Sequence, residues 1–214
     1  AITELPEYYP TRTEIAILYR TTAQSRLFEE SLLQAGIPYR VYGGLRFFER
    51  AEIKDALSYL RLVSNRHDDP SFERVVNQPP RGIGARTLDS VRAHARDFGC
   101  SLWQAASELL LGGAMAARAS NALRGFQDLV EEIDANSADE ALPERAAFVI
   151  EASHLREHFE KSRDGKGQDR IENLEELVNA TRRFSYEAAD EELSDLDAFL
   201  SHAALQAGEA QGDA

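Results

Sequence analysis

Pro79-Pro80-Arg81-Gly82-Ile83-Gly84-Ala85-Arg86-Thr87-Leu88 is the stretch whose reading decides the fold. The two prolines stop one helical pattern, the glycines allow a tight turn, and apolar helical spacing resumes over 85–97. Two short helices about a glycine turn resemble a helix-hairpin-helix; a plain tight corner between helices is the alternative. Upstream, Asp69-Pro70 reads as N-cap and first-turn proline of a short helix through Phe72, Val75 and Val76. A helix over 49–64 carries Ile53, Ala56, Leu57 and Leu60 on one stripe. Downstream, Ser101 with Gln104 reads as a capping box for a helix over 101–111. Further helices are expected over 114–134, 144–152, 154–163, 171–184 and 193–206. Polar 136–140 breaks the series, 163–168 has the composition of a mobile loop, and 207–214 that of a frayed end.

The N-terminal part is different. Glu14-Ile15-Ala16-Ile17-Leu18-Tyr19-Arg20 is a β-favouring run that reads as a strand buried on both faces. Thr21 and Thr22 then read as the cap of a helix over 23–35 ended by Gly36, and Ile37-Pro38-Tyr39-Arg40-Val41-Tyr42 restores the strand signal before Gly43-Gly44. Residues 14–44 are therefore expected to form one strand-helix-strand unit. Thirty residues cannot close such a sheet, so the rest of that α/β domain is expected outside this chain, or the unit packs against something unusual. The fold class expected is mainly α with a short α/β remnant.

The chain has 214 residues, 43% hydrophobic and 29% charged, which excludes collagen-like, low-complexity and wholly disordered classes. No apolar run approaches a membrane span, no signal segment opens the chain, and the single cysteine, Cys100, can form neither an internal disulfide nor a Cys-x-x-Cys knuckle. A cytoplasmic setting is the expectation. The net charge of −13 argues on its face against a nucleic-acid binder, but residues 1–100 hold 14 basic and 13 acidic side chains, against 10 and 24 in 101–214. Between Arg74 and Arg96 stand five arginines (Arg74, Arg81, Arg86, Arg92, Arg96) and one acid, Asp89, so an anion site belongs there first. The alternative is an arginine-rich solvated helix face.

At the glycine turn, Gly82, Ile83 and Gly84 would let several amides point outward at a helix N-terminus, whose dipole favours an anion. Arg81, Arg86 and Thr87 would add guanidinium and hydroxyl donors. Such a site grips the phosphate backbone rather than reading bases, so the expected ligand is duplex DNA, bound without sequence preference and sensitively to salt. Arg20, Thr21, Ser25 and Arg26 form a second strand-to-helix turn able to meet phosphate, with ordinary capping as the alternative. Asp164-Gly165-Lys166-Gly167 fails as a P-loop, with Glu160 where the first glycine belongs and Gly167 where Ser or Thr belongs. His154 and His158 lack the glutamate pattern of a zinc helix, and no metal is expected. Trp103 with Leu102, Leu109 and Leu110 reads as core.

Three runs carry a family resemblance: Ile15-Ala16-Ile17-Leu18-Tyr19-Arg20-Thr21-Thr22-Ala23-Gln24-Ser25-Arg26; Gly36-Ile37-Pro38-Tyr39; and Gly43-Gly44-Leu45-Arg46-Phe47-Phe48-Glu49-Arg50-Ala51-Glu52-Ile53-Lys54-Asp55. With Arg81-Gly82-Ile83-Gly84, Arg170-Ile171-Glu172-Asn173-Leu174-Glu175-Glu176-Leu177 and Ala198-Phe199-Leu200-Ser201-His202-Ala203-Ala204-Leu205, the chain resembles the superfamily 1 DNA helicases of the UvrD/Rep/PcrA type. The likeness covers nearly everything after Glu14; residues 1–13 are not recognised.

The resemblance implies that 1–44 is part of a RecA-like 2A segment and 45–214 a helical 2B accessory subdomain. It implies a parent that couples ATP hydrolysis, with Mg2+, to 3′-to-5′ movement on single-stranded DNA and to unwinding in replication or repair. The Walker motifs have no counterpart here, so this chain alone is expected to be inactive and to bind no ATP. Arg81, Gly82, Ile83, Gly84, Arg86 and Thr87 would grip duplex, and Arg20, Thr21, Ser25 and Arg26 would face the single-stranded tail. Gly43 and Gly44 would form a hinge. Expected partners are a duplex/single-strand DNA junction, the motor subdomains and repair proteins, with no membrane, in a bacterial cytoplasm close to the nucleoid. The rival expectation is a protein-interaction and autoinhibitory module with little DNA binding of its own.

Overall fold

The computed structural model describes residues 15–39, 41, 46–113, 115–184 and 194–208. Ten α-helices run through them: α1 (Ser25–Gln34), α2 (Ala51–Ser64), α3 (Asp69–Val75), α4 (Ala85–Phe98), α5 (Leu102–Gly112), α6 (Ala117–Ser137), α7 (Leu142–Ala152), α8 (Leu155–Glu160), α9 (Gly167–Arg183) and α10 (Asp195–Gly208). Helix α2 is the axis. Ile53, Ala56, Tyr59, Leu60 and Leu62 on it are almost wholly buried, and α3, α6, α7, α9 and α10 pack around it. Phe72 of α3 meets Phe126 of α6 edge to face at 5.5 Å, and Trp103 of α5 approaches the same ring at 6.2 Å. These contacts bury large apolar area where α3, α5 and α6 converge.

Helix ends explain the turns. Ser101 Oγ accepts from the Gln104 amide at 3.2 Å to start α5, but the Gln104 side chain turns to Glu108 instead of closing a reciprocal box. Asp68, not Asp69, caps α3 by accepting from the Ser71 amide, and this frees the Asp69 carboxylate to accept from the Leu102 amide at 2.8 Å. Gly99 and Gly113 end α4 and α5 in the left-handed region that glycine tolerates best. Helix α6 runs on to Ser137, so the polar break expected from residue 136 begins after it. Residues 161–166 are tied down rather than loose: Asp164 accepts from Ser162 Oγ and the Lys166 amide and pairs with Arg170.

The expected strand pairing does not occur among the described residues. Residues 15–19 form no strand, and Leu18, expected to be buried, is 93% exposed. A strand's amides and carbonyls need a neighbouring strand, and the described residues offer none. The helix between the two runs does form, as α1. Glu14, Arg40, Tyr42 and the glycines expected to form a hinge, Gly43 and Gly44, lie outside the described residues.

Candidate nucleic-acid interface

The chain leaves α3 at Val75 and re-enters helix at Ala85 through a corner organised by one side chain. Asn77 Oδ1 accepts from the Arg81 amide at 2.8 Å and from the Ile83 amide at 3.2 Å. Gly82 stands between them at φ +81°, a conformation that favours glycine. The Ile83 side chain is driven into the core, 1% exposed, while Gly82, Gly84 and Arg86 are exposed and Thr87 is half-buried. Gly84 is the N-cap of α4; its carbonyl accepts from the Thr87 and Leu88 amides at 3.0 and 3.2 Å, and no side chain caps this end. The main-chain amides of Gly84, Ala85 and Arg86 find no acceptor among the described residues. The first turn of α4 also holds no acid. An uncapped N-terminus with its dipole open and an arginine at the second position attracts anions.

Arg81 does not share that surface. Its Nη1 donates to the Pro79 and Val75 carbonyls at 2.9 and 3.2 Å, and its Nη2 donates to the Ser153 carbonyl at 3.1 Å. The guanidinium lies over the rings of Tyr59 and Phe126. Burial pushes the Tyr59 hydroxyl well above the ordinary phenol range, so it stays a donor, bonded to the Gln78 carbonyl at 2.7 Å. The arginine-rich segment is also more neutral than its sequence. Arg74 pairs with Asp55 at 2.8 Å, and Arg92 pairs with Glu73 and Asp89 at 2.5 and 3.1 Å. Of the five arginines, Arg86 and Arg96 alone are exposed without an ion-pair partner among the described residues.

The second expected phosphate contact divides in two. Arg20 is exposed and Thr21 half-buried, and the Arg20 amide donates to Gln24 Oε1 at 3.0 Å, so Gln24 serves this turn where the threonines were expected to. Ser25 and Arg26 are interior, 1% and 4% exposed. Arg26 pairs with Glu30 and, at 2.6 Å, with Glu176; Ser25 Oγ donates to Glu29 at 2.6 Å and accepts from Arg50 Nη2 at 2.6 Å. Arg50 also donates to Asn173 at 2.8 Å, and Asn173 donates on to Glu52. Burial pulls the Arg50 guanidinium below its usual range, opposed by the Glu29 and Glu52 carboxylates. This network was missed from sequence. The available signal was that Glu52 and Asp55 fall on the same helical stripe as Ala56 and Tyr59, where a charge must be paired.

The Gly165 loop does not fit a triphosphate cradle, because its inner side holds the Asp164 carboxylate, kept at about 2 by the Lys166 amide, Ser162 and Arg170. His154 and His158 do not converge: His154 sits at φ +63° beside Glu157, and His158 meets Gln78. No cluster of metal-ligating side chains occurs among the described residues, and no helix there is long and apolar enough to cross a membrane.

A family model described as the UvrD-like helicase C-terminal domain matches residues 1–213. The chain is 60% identical over 200 residues to DNA helicase II of Escherichia coli strain K12, an alignment covering 94% of this chain and 28% of that protein. It is 51% identical over 198 residues to DNA helicase II of Haemophilus influenzae, covering 92% and 27%. It is 40% identical over 193 residues to the ATP-dependent DNA helicase PcrA of Bacillus subtilis, covering 90% and 26%. The chain thus spans little more than a quarter of each of these relatives.

Proposed function

The chain belongs to the UvrD-like helicase C-terminal domain family, and on that premise we propose that it is the DNA-gripping accessory region of an ATP-dependent 3′-to-5′ DNA helicase. In this reading residues 45–214 are the helical 2B body and 1–44 part of the 2A segment, with Gly43 and Gly44 as the hinge. The parent's ATP and Mg2+ would be held by residues this chain does not supply. The observation that carries the reading is the open N-terminus of α4, where the amides of Gly84, Ala85 and Arg86 and the Arg86 guanidinium have no partner among the described residues. Gly82 and Gly84 keep side chains out of the way of a phosphate, and Thr87 adds a hydroxyl at the edge. Arg20 and Thr21 remain the surface candidates for the single-stranded tail, since Ser25 and Arg26 are committed to internal partners.

The mechanism is positional. Main-chain amides and Arg86 hold the sugar-phosphate backbone of duplex ahead of the junction, while the rest of the parent does the mechanical work. Binding is independent of sequence and falls steeply with salt. Titration of a labelled hairpin DNA at two ionic strengths tests this. Arg86→Glu weakens binding by about tenfold. Gly84→Val weakens it comparably without unfolding the chain, because a Cβ there meets nothing within 4 Å and the backbone is at φ −83°. Wild-type affinity in both variants overturns the assigned surface, and partner capture without any DNA affinity at low salt supports the protein-interaction role instead.

A further inference from the structure

Resting on the duplex-contact reading, we infer that Asn77 and Arg81 are positioning residues of the grip: they fold the corner from beneath and touch no phosphate. The corner holds two kinds of amide. Those of Arg81 and Ile83 are drawn inward by one carboxamide oxygen, at 2.8 and 3.2 Å, and those of Gly84, Ala85 and Arg86, on exposed residues, have no acceptor among the described residues. An oxygen that gathers two amides four and six residues downstream sets the direction of the chain between them. Gly82 is forced to its positive φ by this closure, and Ile83 becomes the anchor in the core.

Arg81 does the complementary task. Its three hydrogen bonds end on main-chain carbonyls of Val75, Pro79 and Ser153, the last 72 residues away at the α7 to α8 junction. A planar guanidinium lying over Tyr59 and Phe126 reaches the three carbonyls from two separate nitrogens, whereas an ammonium carries all its donors on one. The corner is thereby fixed against α7 and α2 as well as within itself. A phosphate arriving at α4 then meets amides whose placement costs no further ordering, the condition for firm binding by weak donors.

The test compares Arg81→Met, Arg81→Lys, Asn77→Ala and Arg86→Ala in the 214-residue chain. Labelled hairpin DNA is titrated across a salt series, and amide hydrogen exchange is read at positions 81 and 83. Both Arg81 variants and Asn77→Ala weaken binding by about tenfold and speed exchange at those amides, with the salt slope kept at the wild-type value. Arg86→Ala makes the slope shallower by about 0.9 with exchange unchanged. Wild-type affinity in Arg81→Lys, or a slope shallower by about 0.9 in Arg81→Met with exchange intact, makes Arg81 a phosphate ligand and overturns the inference. Should the Arg81 variants not fold, Asn77→Ala decides, and wild-type binding there overturns it. A wild-type chain that binds no duplex at any salt sinks the functional reading itself, whereas failure of the inference alone leaves wild-type binding intact.

Discussion

Arg50 Nη1 donates to Asn173 Oδ1 at 2.8 Å across the interior, joining positions 123 residues apart at the start of α2 and the first turns of α9. Around this bond Ser25, Glu29 and Glu52 are almost fully buried: Ser25 donates to Glu29 and accepts from Arg50, and Glu52 accepts from Asn173. A buried ionic group of this kind is costly to break by halves.

Replacing Arg50 with Leu removes the cation and leaves the Glu29 and Glu52 carboxylates buried without it. The expected loss is about 3 kcal/mol of unfolding free energy, measured by urea denaturation. Lys54→Ala, at an exposed position of the same helix, is expected to change stability by less than about 0.5 kcal/mol. Equal effects of the two substitutions would show that the network contributes nothing.

Two glycines respond in opposite directions. A Cβ on Gly167 clashes with the Phe159 carbonyl oxygen, a main-chain atom that cannot step aside, so Gly167→Ala destabilises by about 1–3 kcal/mol. Gly125 lies inside α6 with nothing within 4 Å of its Cβ position, and Gly125→Ala stabilises by about 0.5–1 kcal/mol. Thermal melts of both variants check the pair of signs.

Asp164 makes the 161–166 turn acid-sensitive. Its carboxyl is held at about 2 against an ordinary 3.8, chiefly by the Lys166 amide, then by Ser162 and Arg170. The folded chain therefore binds fewer protons at this site than the unfolded chain. The stabilisation is complete above the unfolded value and is lost as pH falls toward about 2. Melting temperatures of wild type and Asp164→Asn converge on acidification over that window; parallel curves would remove Asp164 as the cause.

Most of the helical architecture was legible because the apolar period of α2, α4, α5 and α9 is a local property, and so are the glycines that end α4 and α5. The strand expected over 15–19 is not seen among the described residues, because pairing is not local: an apolar run states a preference, and only a neighbouring strand can satisfy its main chain. The one-residue slip from Asp69 to Asp68 as the cap of α3 has the same origin, since the distant Leu102 amide claims the Asp69 carboxylate. At the candidate site, the glycine turn and the open helix end could be read from residues 82–86. The inward turn of Arg81 could not, because its third acceptor is Ser153. The burial of Ser25 and Arg26 was equally hidden, since their partners Arg50 and Glu176 come from other helices.

Because Arg50 and Asn173 touch, the polypeptide departs from and returns to nearly the same point, and what lies between is an excursion with closed ends. Closing such an excursion costs free energy that grows only with the logarithm of its length, about 0.6 kcal/mol for each doubling. An exposed turn within it, such as that near 138–141, is therefore a place where the body can lengthen or shrink at little thermodynamic expense, while the clasp at its base keeps its geometry.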